Sequence, residues 1–193
     1  PEGMLACHFT QARDVQVSFA PIKDVRIDQE GTLRFGWWIG NEKMKHRPIA
    51  VKKSVDSNAA VALLGNTFNT KQGIIIEGTL KLPKAKESPR CGVYIECTTD
   101  LGVYDNGVLI DSTGVAELGP MKADGTGFKA EKRVDREMKF RSPAVFRLLV
   151  RGSLMEFYLD DILIESFALP ANASGRIGLI NAKETMDTLK AWN

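Results

Sequence analysis

The sequence is poor in the residues that hold small proteins together by covalent bonds or metal. Its three cysteines, Cys7, Cys91 and Cys97, are an odd number without metal-ligand spacing, which argues against a disulfide framework. His8 and His46 are the two histidines, and neither stands at ligand spacing with Cys7 or an acidic residue, so no zinc site is expected. Neither charge sign dominates: 26 Lys and Arg face 24 Asp and Glu, a formal balance of +2. No nucleic-acid partner is expected from that balance. The longest apolar runs, such as Ala59–Gly65 and Gly73–Ile76, fall far short of the roughly 18 residues of a membrane-spanning helix, so no membrane partner is expected. A Gly-x-Ser-x-Gly elbow, a phosphate-binding glycine loop and a dinucleotide fingerprint are all missing, which removes hydrolase triads and nucleotide cofactors.

What is present is the composition of one ordinary globular domain over residues 1–193, with 44% apolar and 26% charged residues. A chain of this length buries about 70% of its extended surface, enough for a core without staples. The first residue is Pro1, which predicts processing or excision from a longer protein.

Apolar alternation separated by turn residues every eight to twelve positions predicts an all-β fold. Ile74, Ile76, Leu80 and Leu82 share one face, with Glu77, Thr79 and Lys81 on the other. Cys91, Val93, Ile95 and Cys97 likewise face one way and Tyr94 and Glu96 the other, so both cysteines read as core. Phe146, Leu148 and Val150 point inward with Arg147 and Arg151 outward. Met155, Phe157 and Leu159 then alternate with Glu156 and Tyr158, and Asp160-Asp161 reverses the chain. Arg176–Ile180 and Asp187–Trp192 complete the strand pattern. Nearer the N-terminus, Val15–Phe19, Ile22–Ile27 and Leu33–Ile39 read as strands. Asp56–Leu64 is the one predicted helix, capped by Asp56 or Ser57 and stopped by Gly65. Asp124–Lys139 reads as a charged surface connection.

The blocks Phe146–Ser153, Glu156–Asp161, Gly175–Ile180 and Leu189–Trp192 resemble the closing strands of concanavalin A-like lectin and glucanase domains. The resemblance spans residues 73–192 and implies a two-sheet antiparallel β-sandwich of jelly-roll type. Within that superfamily, Glu156-Phe157-Tyr158-Leu159-Asp160-Asp161 followed by Gly175-Arg176-Ile177-Gly178-Leu179 is most similar to the C-terminal sandwich module of glycoside hydrolase family 32-like enzymes. There the catalytic carboxylates sit on a separate five-bladed propeller. The resemblance thus implies a noncatalytic carbohydrate-associated module whose partners are a catalytic domain of the same longer protein and an oligosaccharide or polysaccharide. No cofactor is expected beyond a structural calcium of the kind that superfamily often holds, for which Asp187 is a candidate ligand, and the sugar reading favours an extracytoplasmic or secreted location.

The candidate ligand-binding residues are Trp37, Trp38, Tyr94, Glu156, Tyr158 and Asp160. Adjacent tryptophans in a strand point to opposite faces, which leaves one exposed as a platform for a sugar ring. Glu156 and Asp160 flank Tyr158 on one strand face, an arrangement suited to sugar hydroxyls. Tyr104 is a weaker candidate, and Trp192 reads as closing the sandwich edge. The basic stretch Lys43, Lys45, His46, Arg47, Lys52 and Lys53 offers contacts for an acidic glycan or reads as a solvated loop. The acidic cluster Glu131, Asp135 and Glu137 lies among Lys132, Arg133 and Arg136 and reads as surface. Two alternatives stay open: a glycosidase using Glu96 and Glu156, and a protein-interaction module with no sugar site and an apolar patch.

Overall fold

The computed structural model describes residues 3–11, 17–52, 61–84, 89–99, 102–121, 128–170 and 173–193. Among them, nine strands form one sheet and six the other, all paired neighbours being antiparallel. Edge to edge, the larger sheet runs Met4–Ala6, Lys23–Ile27, Leu33–Trp37, Ile162–Ala168, Leu154–Leu159, Ala144–Arg151, Ile74–Leu80, Lys190–Trp192 and Pro48–Ile49. The smaller runs Lys132–Asp135, Val115–Gly119, Gly102–Ile110, Cys91–Thr99, Ser174–Ile180 and Val61–Asn69. Phe9–Gln11 and Val17–Phe19 make a separate two-stranded ribbon.

The period-2 pattern decides which side chains meet between the sheets. Ile74, Ile76 and Leu80 from the larger sheet, with Phe146, Leu148, Val150, Met155, Phe157 and Leu159, pack against Val93, Ile95, Val108 and Ile110 of the smaller one. Cys91 and Cys97 are core residues, as their strand face requires. The left-handed φ values of Asp160 (46°) and Asp161 (63°) make the two-residue reversal that the sequence predicts.

Four local expectations are corrected. The predicted helix Asp56–Leu64 is not formed where the chain is described: Val61–Asn69 is a strand along Ser174–Ile180, and positions 56–60 lie outside the described residues. β-branched and bulky side chains at Val61, Leu63, Phe68 and their neighbours find partners in the sheet that a helix would forgo. The final strand is shorter than predicted, because Lys183–Thr188 forms a 3-10 segment and Lys190–Trp192 alone is extended. Leu33–Ile39 stops at Trp37, where a second 3-10 segment, Ile39–Met44, begins. The connection over 124–139 contains an edge strand, Lys132–Asp135, paired with Val115–Gly119.

The larger sheet is strongly curled at its N-terminal end. Lys23–Ile27 and Leu154–Leu159 are three strand steps apart, about 14 Å in a flat sheet. Yet the Lys23 ammonium lies 2.7 Å from the Glu156 carboxylate. The seam is the junction of Leu33–Trp37 with Ile162–Ala168, which holds one registered pair, Ile162 with Gly36. There the first strands fold back across the outer face of the sheet.

Candidate functional site

That curl encloses a cleft of about 840 Å³ on the outer face of the larger sheet. Arg147 lies at its centre. Its neighbours Phe146 and Leu148 face the core, so its own side chain faces out, and the register sets it opposite Glu77. The guanidinium donates from Nε to Glu77 Oε1 at 2.5 Å, from Nη1 to Asp161 Oδ1 at 2.7 Å, and from Nη2 to Glu42 Oε1 at 3.4 Å. Its carbon also lies 4.2 Å from the centroid of the Trp37 ring, a cation–π contact. Lys45 joins the same carboxylates, 2.5 Å from Glu42 Oε2 and 2.7 Å from Glu77 Oε1. The indole N–H of Trp37 donates to Glu42 Oε1 at 2.7 Å.

Burial alone would raise the Glu42 carboxyl. Hydrogen bonds from Lys45 and Trp37, with the charges of Lys45 and Arg147, outweigh it and hold the group below its ordinary value. A general acid for glycoside cleavage needs the opposite, a raised carboxyl. A set of fixed acceptors and a fixed guanidinium beside two indoles suits sugar hydroxyls and a sugar ring face.

The two tryptophans fall as alternation demands. Trp37 is buried edge-on against Tyr158, ring centroids 5.3 Å apart, in a small cluster with Ile75 and Leu149. Trp38 is half-buried and follows in extended conformation, its ring lying over Gly40. Both line the cleft.

The other candidates are not gathered here. Glu156 and Tyr158 are both fully buried rather than on a wet outer face. Glu156 takes the Tyr158 hydroxyl at 2.6 Å, the Lys23 ammonium at 2.7 Å and the His8 ring at 3.4 Å. The folded-back N-terminal strands cover them, a long-range event invisible in the local alternation. Asp160 accepts from the backbone N–H of Val145 at 2.9 Å, while its neighbour Asp161 reaches Arg147. Tyr94 is buried on the outer face of the smaller sheet among Leu109 and Ile180, and donates to Asp105 at 3.2 Å. Burial, then the nearby Asp105 charge, pushes its hydroxyl pKa up. Tyr104 donates weakly to the Ala168 carbonyl at 3.4 Å.

Glu96 pairs with Arg176 at 2.8 Å on that same face. Glu96 and Glu156 therefore point away from each other across a sandwich about 10 Å thick, too far apart for the pair a glycosidase requires. Glu131 meets Lys129 at 3.6 Å and Asp135 accepts from the Glu137 N–H, all at the surface, while Arg136 leaves the run to pair with the buried Glu165. Among the described residues no group of three or more His, Cys, Asp or Glu is placed to hold a metal ion, and Asp187 is exposed in its 3-10 segment. The basic stretch is divided: Lys45 enters the cleft, His46 lines a separate groove, Lys43 is exposed, and Lys53 lies outside the described residues. Sequence reading missed Glu42, Glu77, Arg147 and Asp161; the outward position of Arg147 in an apolar strand was the available signal.

The two antiparallel sheets and the core between them make this a β-sandwich. No family model matches the sequence, and neither does any curated protein. Solved structures do match the fold. A fructofuranosidase of Schwanniomyces occidentalis in complex with fructosylnystose superposes with a TM-score of 0.59 at 11% identity, over 100% of this chain and 45% of that one. An exo-inulinase of Aspergillus awamori gives 0.54 at 10% identity, over 98% and 40%. The GH32 β-fructofuranosidase of Bombyx mori gives 0.52 at 9%, over 97% and 40%. This chain thus spans less than half the length of these three chains, and the likeness is one of fold.

Proposed function

We propose that this chain is a noncatalytic, carbohydrate-associated module of a longer glycoside hydrolase that contacts glycan in the cleft at Arg147. The observation that carries the reading is the cleft itself. The Trp37 indole stacks on a guanidinium held by three carboxylates, Trp38 lines the same cleft, and each carboxylate is tied to a cation rather than poised to give up a proton. Trp38 offers the accessible ring, while Trp37 orients Glu42 and supports Arg147.

A second feature favours a docked catalytic domain. Of twelve exposed large apolar side chains among the described residues, ten lie between Met4 and Ile39, including Phe19 and Ile39 at 78% and 77% exposure. Exposed apolar side chains concentrated in one part of the chain suit an interaction surface. Its occupant in this reading is the catalytic domain, since the matched chains are more than twice as long as this one. If the cleft is silent toward sugars, the same patch supports a protein-interaction module.

The test is a glycan array read with hydrolysis assays on fructans, arabinans and β-glucans. Binding without turnover, lost in Trp38→Ala and Arg147→Gln while both variants stay folded, is the expected result. Turnover by the isolated chain overturns the noncatalytic reading, and binding that survives both substitutions moves the glycan out of this cleft.

A further inference from the structure

We propose that the groove beside Trp192 is an anion-binding subsite that takes a carboxylated or sulfated sugar residue. This rests on the glycan-contact reading above and deepens it by naming a substituent. The groove, about 200 Å³, lies on the same outer face as the cleft. Going along the two central strands, the outward positions are Glu77 and Arg147, then Ile75 and Leu149, and next on its strand Arg151. Four residues of strand place Arg151 about 13 Å from Arg147, a neighbouring position for the same oligosaccharide. Lys45 joins the two: it lines the cleft and lies 4.8 Å from the Trp192 ring centroid.

The chemistry of the groove differs from that of the cleft. Ile75, Leu149 and the Trp192 indole supply apolar lining, and His46, Lys71 and Arg151 supply basic groups beside the polar Gln72 and Asn193, with no Asp or Glu side chain among the lining residues. Among the described residues the side chains of these three basic residues make no ion pair or hydrogen bond, whereas Arg147 has three carboxylate partners. Two cationic side chains without carboxylate partners, Lys71 and Arg151, beside an aromatic wall attract an anion and bind one carried on a ring better than a free one. Arg151 presents a fork that matches a carboxylate or sulfate, and Lys71 a point charge. His46 comes from the basic stretch evident in the sequence; Lys71 and Arg151 reach it only through the fold.

The experiment is calorimetric titration of the full chain with an oligogalacturonate, a heparin-derived oligosaccharide, inorganic sulfate and a neutral fructo-oligosaccharide. Wild type is compared with Lys71→Gln/Arg151→Gln, both exposed positions, with thermal melting as the fold check. An acidic oligosaccharide is expected to bind at least tenfold more weakly to the double variant, to weaken with added salt, and to shift the Trp192 indole NMR signal. Neutral binding stays within twofold. Neutral binding without acidic binding overturns the subsite and leaves the cleft reading intact. Acidic binding lost in the double variant with no neutral binding supports the subsite and removes the cleft reading. Acidic binding indifferent to the double variant, or no tighter than inorganic sulfate, overturns the subsite, and silence toward every sugar overturns both.

Discussion

The Lys23–Glu156 contact gives the sharpest test of how the N-terminal strands are held. The two side chains are 1% and 0% exposed, with Nζ 2.7 Å from the carboxylate and 2.7 Å from the Pro21 carbonyl. Glu156→Gln keeps an acceptor but strands a buried ammonium, a change of about 3–5 kcal/mol. Lys23→Met leaves the carboxylate with Tyr158 and His8 and costs about 3 kcal/mol on the same grounds. Lys23→Met/Glu156→Gln removes both charges and keeps an acceptor for the Tyr158 hydroxyl, so the remaining cost is a buried amide N–H left without a partner, about 1–3 kcal/mol. The double variant is therefore more stable than the sum of the singles implies, with a coupling of at least about 2 kcal/mol. Urea unfolding followed by tryptophan fluorescence reads this directly: at a slope of about 2 kcal/mol/M, Glu156→Gln lowers the midpoint by about 2 M. A shift below about 0.5 M, or additive singles, would refute the buried pair and with it the folded-back arrangement of the first strands.

Three further outcomes are expected. A Cβ at Gly40 would sit 2.2 Å from the Trp38 ring, so Gly40→Val displaces that indole and abolishes array binding while thermal melting moves little. Burial, then the Lys23 charge, holds the His8 pKa below its ordinary 6.5 against the smaller pull of Glu156. The unfolded chain thus takes up that proton first as pH falls, and stability declines from about pH 6.5 downward. His8→Gln flattens that part of the pH–stability curve. Burial pushes the Cys91 and Cys97 thiols up to about 12, so in the native protein Cys7 alone reacts with a thiol reagent and all three react in denaturant.

The sheets were legible wherever a strand has one wet face and one dry one. Ile74 to Leu82 and Cys91 to Cys97 carry their orientation in their own alternation, and the Asp160-Asp161 reversal follows from residues that tolerate left-handed backbone. Val61–Asn69 was obscure because its capping residues and Gly65 mimic helix punctuation, while its real partner, Ser174–Ile180, is more than a hundred positions away. Glu156 shows the other limit: a polar residue alternating with core residues reads as solvent-facing until a remote strand covers it. The cleft was half legible. Its tryptophans stood out, but Glu42, Glu77, Arg147 and Asp161 converge from four separate segments, and register rather than spacing brings them together.

The placement of Lys190–Trp192 between Ile74–Leu80 and Pro48–Ile49 has a consequence for biosynthesis. Until residue 192 clears the ribosome, Ile74–Leu80 presents a bare hydrogen-bonding edge, and the nascent chain is an adhesive species needing chaperone cover. The segment that seals that edge also brings the Trp192 ring to its place beside Lys45. Completion of the sheet and assembly of this part of its outer surface are thus one event, timed by translation.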